Sequence, residues 1–393
     1  MIDLLRDRNT VLALACCLIF GCVLGLTLLL VPLYTLALSD SPLILALVVS
    51  TFPLTGVLLS LASGLLCDYF GRRMVIIGGF VCLVCACLVC AAADSYYWLL
   101  IGQILAGLGD VTIYVAAWSF LIELAPSGKQ VALQGLGSAA AVIGEILGPL
   151  VGGYVAEFAG FPTAFLVGGG LAVLGLVVAT GIGRTLHRHD GDSLLASLIE
   201  YHRGAWRLLT QNSAVLWANL VHGVGLITWQ TMGGSFYLAY LTAAGFSSSG
   251  AGALIAGHML VAMLGQLSLG YFSGRASTLT LALGATAIGA LTVGITPLLA
   301  SIPVIALVGC LGGVSRVWLP VLIGFVADNT DHTQRSMGVA LFNLSWAITS
   351  PIALFTVAVL VERVSLSSSF FLIGAFVAFS SLLLWVWAKR HLA

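Results

Sequence analysis

The sequence predicts an all-α polytopic membrane protein of twelve transmembrane helices in two pseudo-symmetric six-helix bundles. Three observations predict it. Of 393 residues, 60% are hydrophobic and 8% charged, against roughly 25% charged in a soluble domain, so a water-facing surface cannot be built. Apolar runs of about 20 residues, enough to cross the ~30 Å hydrocarbon core as self-satisfied helices, recur along the whole chain. The third observation is an internal repeat: Gly64 aligns with Gly270, Asp110 with Arg316 and Lys129 with Arg335, each 206 positions on.

The first half, 1–183, is expected to span at about 10–34, 42–66, 74–93, 97–122, 131–157 and 161–183. The first run follows the charged start MIDLLRDRN but has no small-residue cleavage site, so it reads as a retained helix, not a signal peptide. The second ends in the polar turn GLLCDYFGRR. The third contains CLVCACLVC, whose CxxC spacing lacks the His or acidic neighbours a metal site needs. Its cysteines, with Cys16, Cys17, Cys22 and Cys310, read as small packing residues, and no metal or cofactor is expected. The fourth run carries Asp110 and ends in IELAPSGKQ, and the fifth contains GEILGPLVGG.

Residues 184–210 form a charged linker on the cytoplasmic side, and 211–393 the second half, with spans at about 211–243, 248–272, 276–300, 302–327, 335–361 and 366–388. With the N-terminus inside, Arg6, Arg8, Arg72, Arg73, Lys129, Arg184, Arg188, Arg203, Arg207, Arg275, Arg335, Lys389 and Arg390 are cytoplasmic and only Arg363 lies outside. An even number of crossings returns the C-terminus to the cytoplasm. Short loops suggest a bacterial inner membrane. Trp98 and Trp385 read as interface anchors.

Two parallel six-helix halves are the architecture of one large transporter class, and the motifs point the same way. GLLCDYFGRR, from Gly64 to Arg73, resembles the GxLxDxxGRR signature loop of the major facilitator superfamily. GEILGPLVGG, from Gly144 to Gly153, resembles the GxxxGPxxGG pattern of its proton-coupled drug and metabolite antiporters. The resemblance implies that Asp68 faces the start of helix eleven and that Arg72 pairs with Glu123, latching the cytoplasmic side. It also implies that the helix-five segment seals the opposite side. Physically, Gly64 and Gly71 permit a tight turn. Gly144, Gly148, Pro149, Gly152 and Gly153 strip side chains from helix five, so a close interface between the halves is expected, with a kink at Pro149. The alternative for Arg72 is a positive-inside anchor, the natural role of Arg73. The alternative for helix five is generic small-residue packing. One departure is Gln103 in LLIGQILAG, where the family's helix four usually carries Arg.

Ionisable residues deep in a bilayer each cost at least about 2.5–3.5 kcal/mol unless they are paired or face a cavity. Asp110, Glu145 and Arg316 lie about thirteen or fourteen residues into their spans, so a rise of 1.5 Å per residue puts all three near mid-depth. By the family architecture, Asp110 and Arg316 would face each other across the pseudo-axis. Burial and Arg316 pull the ionisation of Asp110 in opposite directions, so a substrate inserted between the two would switch its proton. Glu145 is the rival proton carrier. Arg316 would neutralise an acid or grip an anionic group. The alternative for all three is a structural salt bridge. His222 and Gln230 with Asn219 and Trp229, His258 with Gln266, and Asn343 with Trp346 complete the candidate lining, with interhelical hydrogen bonding as the alternative for the histidines.

The expected function is secondary export of a small anionic or zwitterionic molecule (metabolite, antibiotic or metal chelator) in exchange for protons. Alternatives are a proton symporter or facilitator for uptake, and an exporter of lipophilic cations. An enzyme is not expected, because no GxSxG or HExxH cluster is present, and the chain has no GxxxxGK loop for ATP. The expected partners are a small-molecule substrate, protons and the lipid bilayer. No nucleic-acid partner is expected, and the family resemblance implies a monomer.

Overall fold

The computed structural model describes residues 7–125, 129–183, 194–272, 277–331 and 335–391. Among these, every regular element is a helix. Two compact units result, one comprising Met1–Gly191 with Ser247–Ala256, the other Asp192–Phe246 with Gly257–Ala393.

The first unit begins with α1 (Arg8–Leu38), whose N-terminus is capped by Asp7 Oδ2 accepting from the backbone N–H and hydroxyl of Thr10, both at 2.8 Å. Helix α2 (Pro42–Phe70) starts on Pro42, which has no N–H to leave unsatisfied. Gly71 separates it from α3 (Arg72–Ala91) with φ 78°, a backbone that L side chains rarely adopt, so the turn can be this short only with glycine. Helix α4 (Tyr96–Leu124) follows. Helix α5 (Gln130–Thr180) is continuous except at Gly160, which is non-helical with φ 84°. Its apolar stretch of 48 residues would measure about 72 Å as one rod at 1.5 Å per residue, more than twice the hydrocarbon core. The expected spans 131–157 and 161–183 are its two limbs.

The glycine-rich face of α5 packs chiefly against α1, and at Pro149 and Gly153 against the start of α9 (Ser248–Phe272). A Cβ on Gly144 would collide with the Leu18 carbonyl of α1, one on Gly148 with that of Cys22, and one on Gly152 would meet Leu26. These residues are spaced four apart and share one row facing α1. Pro149 and Gly153, one position further round, instead face Ser248 and Gly252 at the start of α9. Gly25 of α1 reciprocates, since its Cβ would stand 2.7 Å from the Glu145 carbonyl oxygen.

In the second unit, α6 (Leu194–Gln211) occupies much of the expected linker. The extended residue Asn212 ends it and caps α7 (Ser213–Met232) by accepting from the N–H groups of Ala214 and Val215. The expected span 211–243 is broken at Gly233–Gly234, after which α8 (Ser235–Ala243) resumes. Then come α9 (Ser248–Phe272) and α10 (Thr278–Ile295). Span 302–327 is likewise interrupted: α11 (Ile302–Leu311) passes through a 3₁₀ segment, Gly312–Val317, into α12 (Trp318–Asp328). Helices α13 (Arg335–Arg363) and α14 (Leu366–His391) complete the unit. Its core gathers Trp217, Leu226, Trp318, Leu322 and Phe342. Among the described residues, nine helices are long and apolar enough to cross a membrane, and Pro42–Gly56 is a shorter apolar stretch.

Candidate functional site

Each unit holds a polar cluster on helices that are long and apolar. In the first, α4 presents Asp110, Tyr114 and Trp118 at four-residue intervals, hence on one face. The rings of Tyr114 and Trp118 stack at 4.4 Å, tilted by only 26°. Trp118 Nε1 donates to Ser138 Oγ of α5 at 3.3 Å. The carboxyl groups of Asp110 and Glu145 lie within electrostatic reach of each other and of the Tyr114 hydroxyl. The backbone of Glu145 is held by the close passage of Gly25. Two acids beside an aromatic pair can hold a proton, or a cationic group by charge and ring quadrupole together.

In the second unit the 3₁₀ segment carries Arg316. Its guanidinium carbon lies 4.0 Å from the ring centroid of Trp229 on α7, and Nη1 donates to the Met259 sulfur of α9 at 2.8 Å. Next to Met259, His258 is 1% exposed, and its Nδ1 lies 2.8 Å from the Gly309 carbonyl oxygen. A carbonyl only accepts, so the network assigns the proton to Nδ1 and leaves Nε2 as a lone-pair acceptor. Nε2 is buried without a hydrogen-bond partner among the described residues. The His258 and Trp229 rings are 5.7 Å apart. A stacked guanidinium with forked donors, beside a neutral imidazole acceptor, suits an anionic group that also carries a hydrogen-bond donor.

The other predicted residues divide by surroundings. His222 is 3% exposed and sits edge-on to Trp318 and Phe342 at 4.7 and 5.1 Å. The Phe342 backbone is near, but neither ring nitrogen meets it in hydrogen-bonding geometry, so His222 packs as part of the core. Gln230 is buried on α7 near the Gly233–Gly234 break, and Gly234 passes close to its side-chain oxygen. Asn219 accepts from Ser345 Oγ at 2.6 Å and so ties α7 to α13. Trp346 packs partly buried against the core. The side chain of Asn343 lies outside the described residues.

At the α2–α3 turn, Arg72 Nη2 is 2.6 Å from Glu123 Oε1 at the end of α4. Arg73 Nη2 donates to the Thr180 carbonyl at 2.7 Å. The side chains of Gly64 and Asp68 lie outside the described residues. Sequence reasoning passed over Tyr114, Trp118 and Met259, although stepping by four from Asp110 would have found the first two. It also passed over Glu157, whose Oε2 accepts from the Ser249 N–H at 2.9 Å and caps α9.

A family model described as Major Facilitator Superfamily matches residues 11–314. Among curated relatives, the Methylenomycin A resistance protein of Bacillus subtilis (strain 168) is 30% identical over 166 residues, covering 41% of this chain and 34% of that protein. MdtD of Yersinia pseudotuberculosis serotype I (strain IP32953), named for multidrug resistance, is 26% identical over 144 residues, 37% of this chain and 31% of that protein. The matches thus span about a third of those relatives' length. Two solved structures share the fold over nearly the whole chain. A D-xylose–proton symporter has a TM-score of 0.74 at 18% identity, covering 96% of this chain and 97% of its own. A POT family transporter in complex with a thioalcohol-conjugated peptide reaches 0.81 at 11% identity, covering 98% and 96%.

Proposed function

Because the chain belongs to the Major Facilitator Superfamily and is a membrane transporter, not an enzyme, we propose that it exports a small zwitterionic or anionic organic molecule in exchange for protons, by alternating access. The observation that carries this reading is the Arg316–Trp229–His258 cluster. The guanidinium lies flat on the Trp229 ring beside the His258 acceptor, and its forked donors suit a carboxylate or another anionic group. Asp110 and Glu145 supply the proton carriers, each carboxyl within electrostatic reach of the other. The resistance names of the relatives support outward transport.

A second reading, export of lipophilic cations, is favoured by the stacked Tyr114–Trp118 pair beside two carboxyls. The zwitterionic or anionic reading leads because the forked guanidinium of Arg316 suits an anionic group. In either case the chain crosses the membrane twelve times, counting α5 twice, α7 with α8 once and α11 with α12 once, with both termini cytoplasmic and the chain acting as a monomer. The halves 1–183 and 211–393 move as the two working bodies. The Arg72–Glu123 pair is a latch that forms and breaks in each cycle, with Gly64, Gly71 and Asp68 in the same turn. Gly144, Gly148, Pro149, Gly152 and Gly153 keep α5 closely packed during it.

Everted vesicles with an acidified lumen test this. Chelating organic anions or zwitterions should dissipate the pH gradient, and lipophilic cations should do so less. Dissipation by cations alone selects the second reading. Dissipation by neither class refutes proton-coupled export.

A further inference from the structure

Helix α6 carries a feature that the transport reading leaves unused. It carries Glu200, Arg203 and Arg207 among its 18 residues, and Leu208 and Leu209 pack against the core of the second unit. Ala205 and Leu208 are buried in the core of the second unit with Val215, Trp217 and Ala388. The other side exposes Arg203, Trp206, Arg207 and Thr210, which are three, four and seven apart and therefore neighbours on one face. Trp206 is 67% exposed. Asn212 breaks the chain directly after α6 and caps α7, so this face stands at the foot of a membrane helix.

The end of α14 joins it. Trp217, near the start of α7, donates from Nε1 to the Leu384 carbonyl at 3.1 Å, which sets the end of α14 at the same end of the unit as α6; Lys389 and Arg390 are exposed there, with Lys389 Nζ 4.0 Å over the Trp385 ring. Four exposed cations and two indoles therefore gather at one end of the unit. The described acids there are Asp328 and Asp331, at the end of α12, which is joined to Asn212 through the Asn329 carbonyl at 2.9 Å.

We propose that Arg203, Trp206 and Arg207 of α6, with Lys389 and Arg390 of α14, form a binding surface for anionic phospholipid headgroups. Indoles settle at headgroup depth, where the ring body is apolar and the N–H is wet. Guanidinium groups beside it donate in pairs to phosphate oxygens. A helix with apolar residues on one side, arginines on the other and tryptophan at the boundary lies in the interface plane. A soluble phosphate would use the arginines but leave Trp206 without an apolar partner. The surface is independent of what the protein transports.

The test uses the full chain in neutral detergent, with thermal stability followed as phosphatidylglycerol, phosphatidylcholine or glycerol 3-phosphate is added. Phosphatidylglycerol should stabilise, phosphatidylcholine should not, and salt should weaken the effect. In Arg203→Gln/Arg207→Gln the half-saturating lipid concentration should rise about thirtyfold, from about fivefold per arginine at an anionic surface. Trp206→Ser should weaken lipid binding while leaving the salt dependence intact. Native mass spectrometry counting retained phosphatidylglycerol gives the same comparison without relying on stability. Equal response to both lipids, or an unchanged double variant, overturns the assignment. So does a full effect from glycerol 3-phosphate alone, which would assign the site to a soluble phosphate.

Discussion

Replacing Gly25 by alanine tests whether the α1–α5 seam sets the position of Glu145. The added Cβ would lie 2.7 Å from the Glu145 carbonyl oxygen and 2.9 Å from both Glu145 Cα and Pro149 Cδ. Ordinary contact begins at 3.4 Å, so α1 and α5 must separate by about 0.5–0.7 Å, and two of the three atoms are backbone that cannot rotate away. Overpacking of this kind costs about 1–3 kcal/mol. The matched control is Gly170→Ala on α5, the helix that Gly25 packs against, where a Cβ meets nothing within 4 Å. There the loss of glycine's unfolded-state freedom should stabilise by about 0.4–1 kcal/mol. Gly25→Ala gains the same term, which cancels, so the two variants should differ by the overpacking cost of about 1–3 kcal/mol, read as the difference in thermal unfolding of purified protein in one detergent. Proton-coupled transport should fall in Gly25→Ala and persist in Gly170→Ala, since small misplacements of a reacting group are costly. If Gly25→Ala is as stable as Gly170→Ala, the seam is not tightly packed and the reasoning fails.

Three further outcomes are expected. Asp110→Asn should abolish substrate-driven proton release from everted vesicles, and release equal to the unmodified protein would transfer the coupling role to Glu145. Arg316→Lys keeps the charge but loses the fork and the flat stack on Trp229, so the apparent affinity for an anionic substrate should weaken about tenfold or more, about 1.5–3 kcal/mol for a charge-assisted bond. An affinity in Arg316→Gln equal to that of the unmodified protein would remove Arg316 from the site. For the Arg72–Glu123 pair, whose carboxylate side chain is 46% exposed, either single neutralisation should change stability by no more than about 1 kcal/mol. Transport should fall in each single variant and recover in the exchange Arg72→Glu/Glu123→Arg, whereas no recovery would mean the two act separately.

Features set by composition and short-range spacing were legible in the chain. The glycine at 71 was expected for a tight turn, and the turn has the positive φ that demands it. The interruptions at Gly233–Gly234 and Gly312–Val317 were not expected, because the apolar run continues across both and hydropathy registers solvent, not backbone conformation. Helix α6 was missed as an element for a related reason: its apolar residues recur with helical spacing but never form a run. His222 and His258 looked alike in sequence. One proved to be packed between aromatic rings, and the other hydrogen-bonds a carbonyl beside Arg316.

By itself the sequence determined that this is a helical membrane protein, and it placed Asp110, Glu145 and Arg316 within long apolar segments. Lipid tolerates only long apolar segments with self-satisfied backbones, and that constraint is written residue by residue. Tertiary structure alone decided which side chains meet: Glu145 with Asp110 and Tyr114, Arg316 with Trp229 and Met259, and the α5 glycines with α1. Those pairings depend on how each helix is rotated about its axis. Helices with almost no polar face carry little in their sequence to set that rotation, so the fit of glycine to backbone and ring to cation sets it instead.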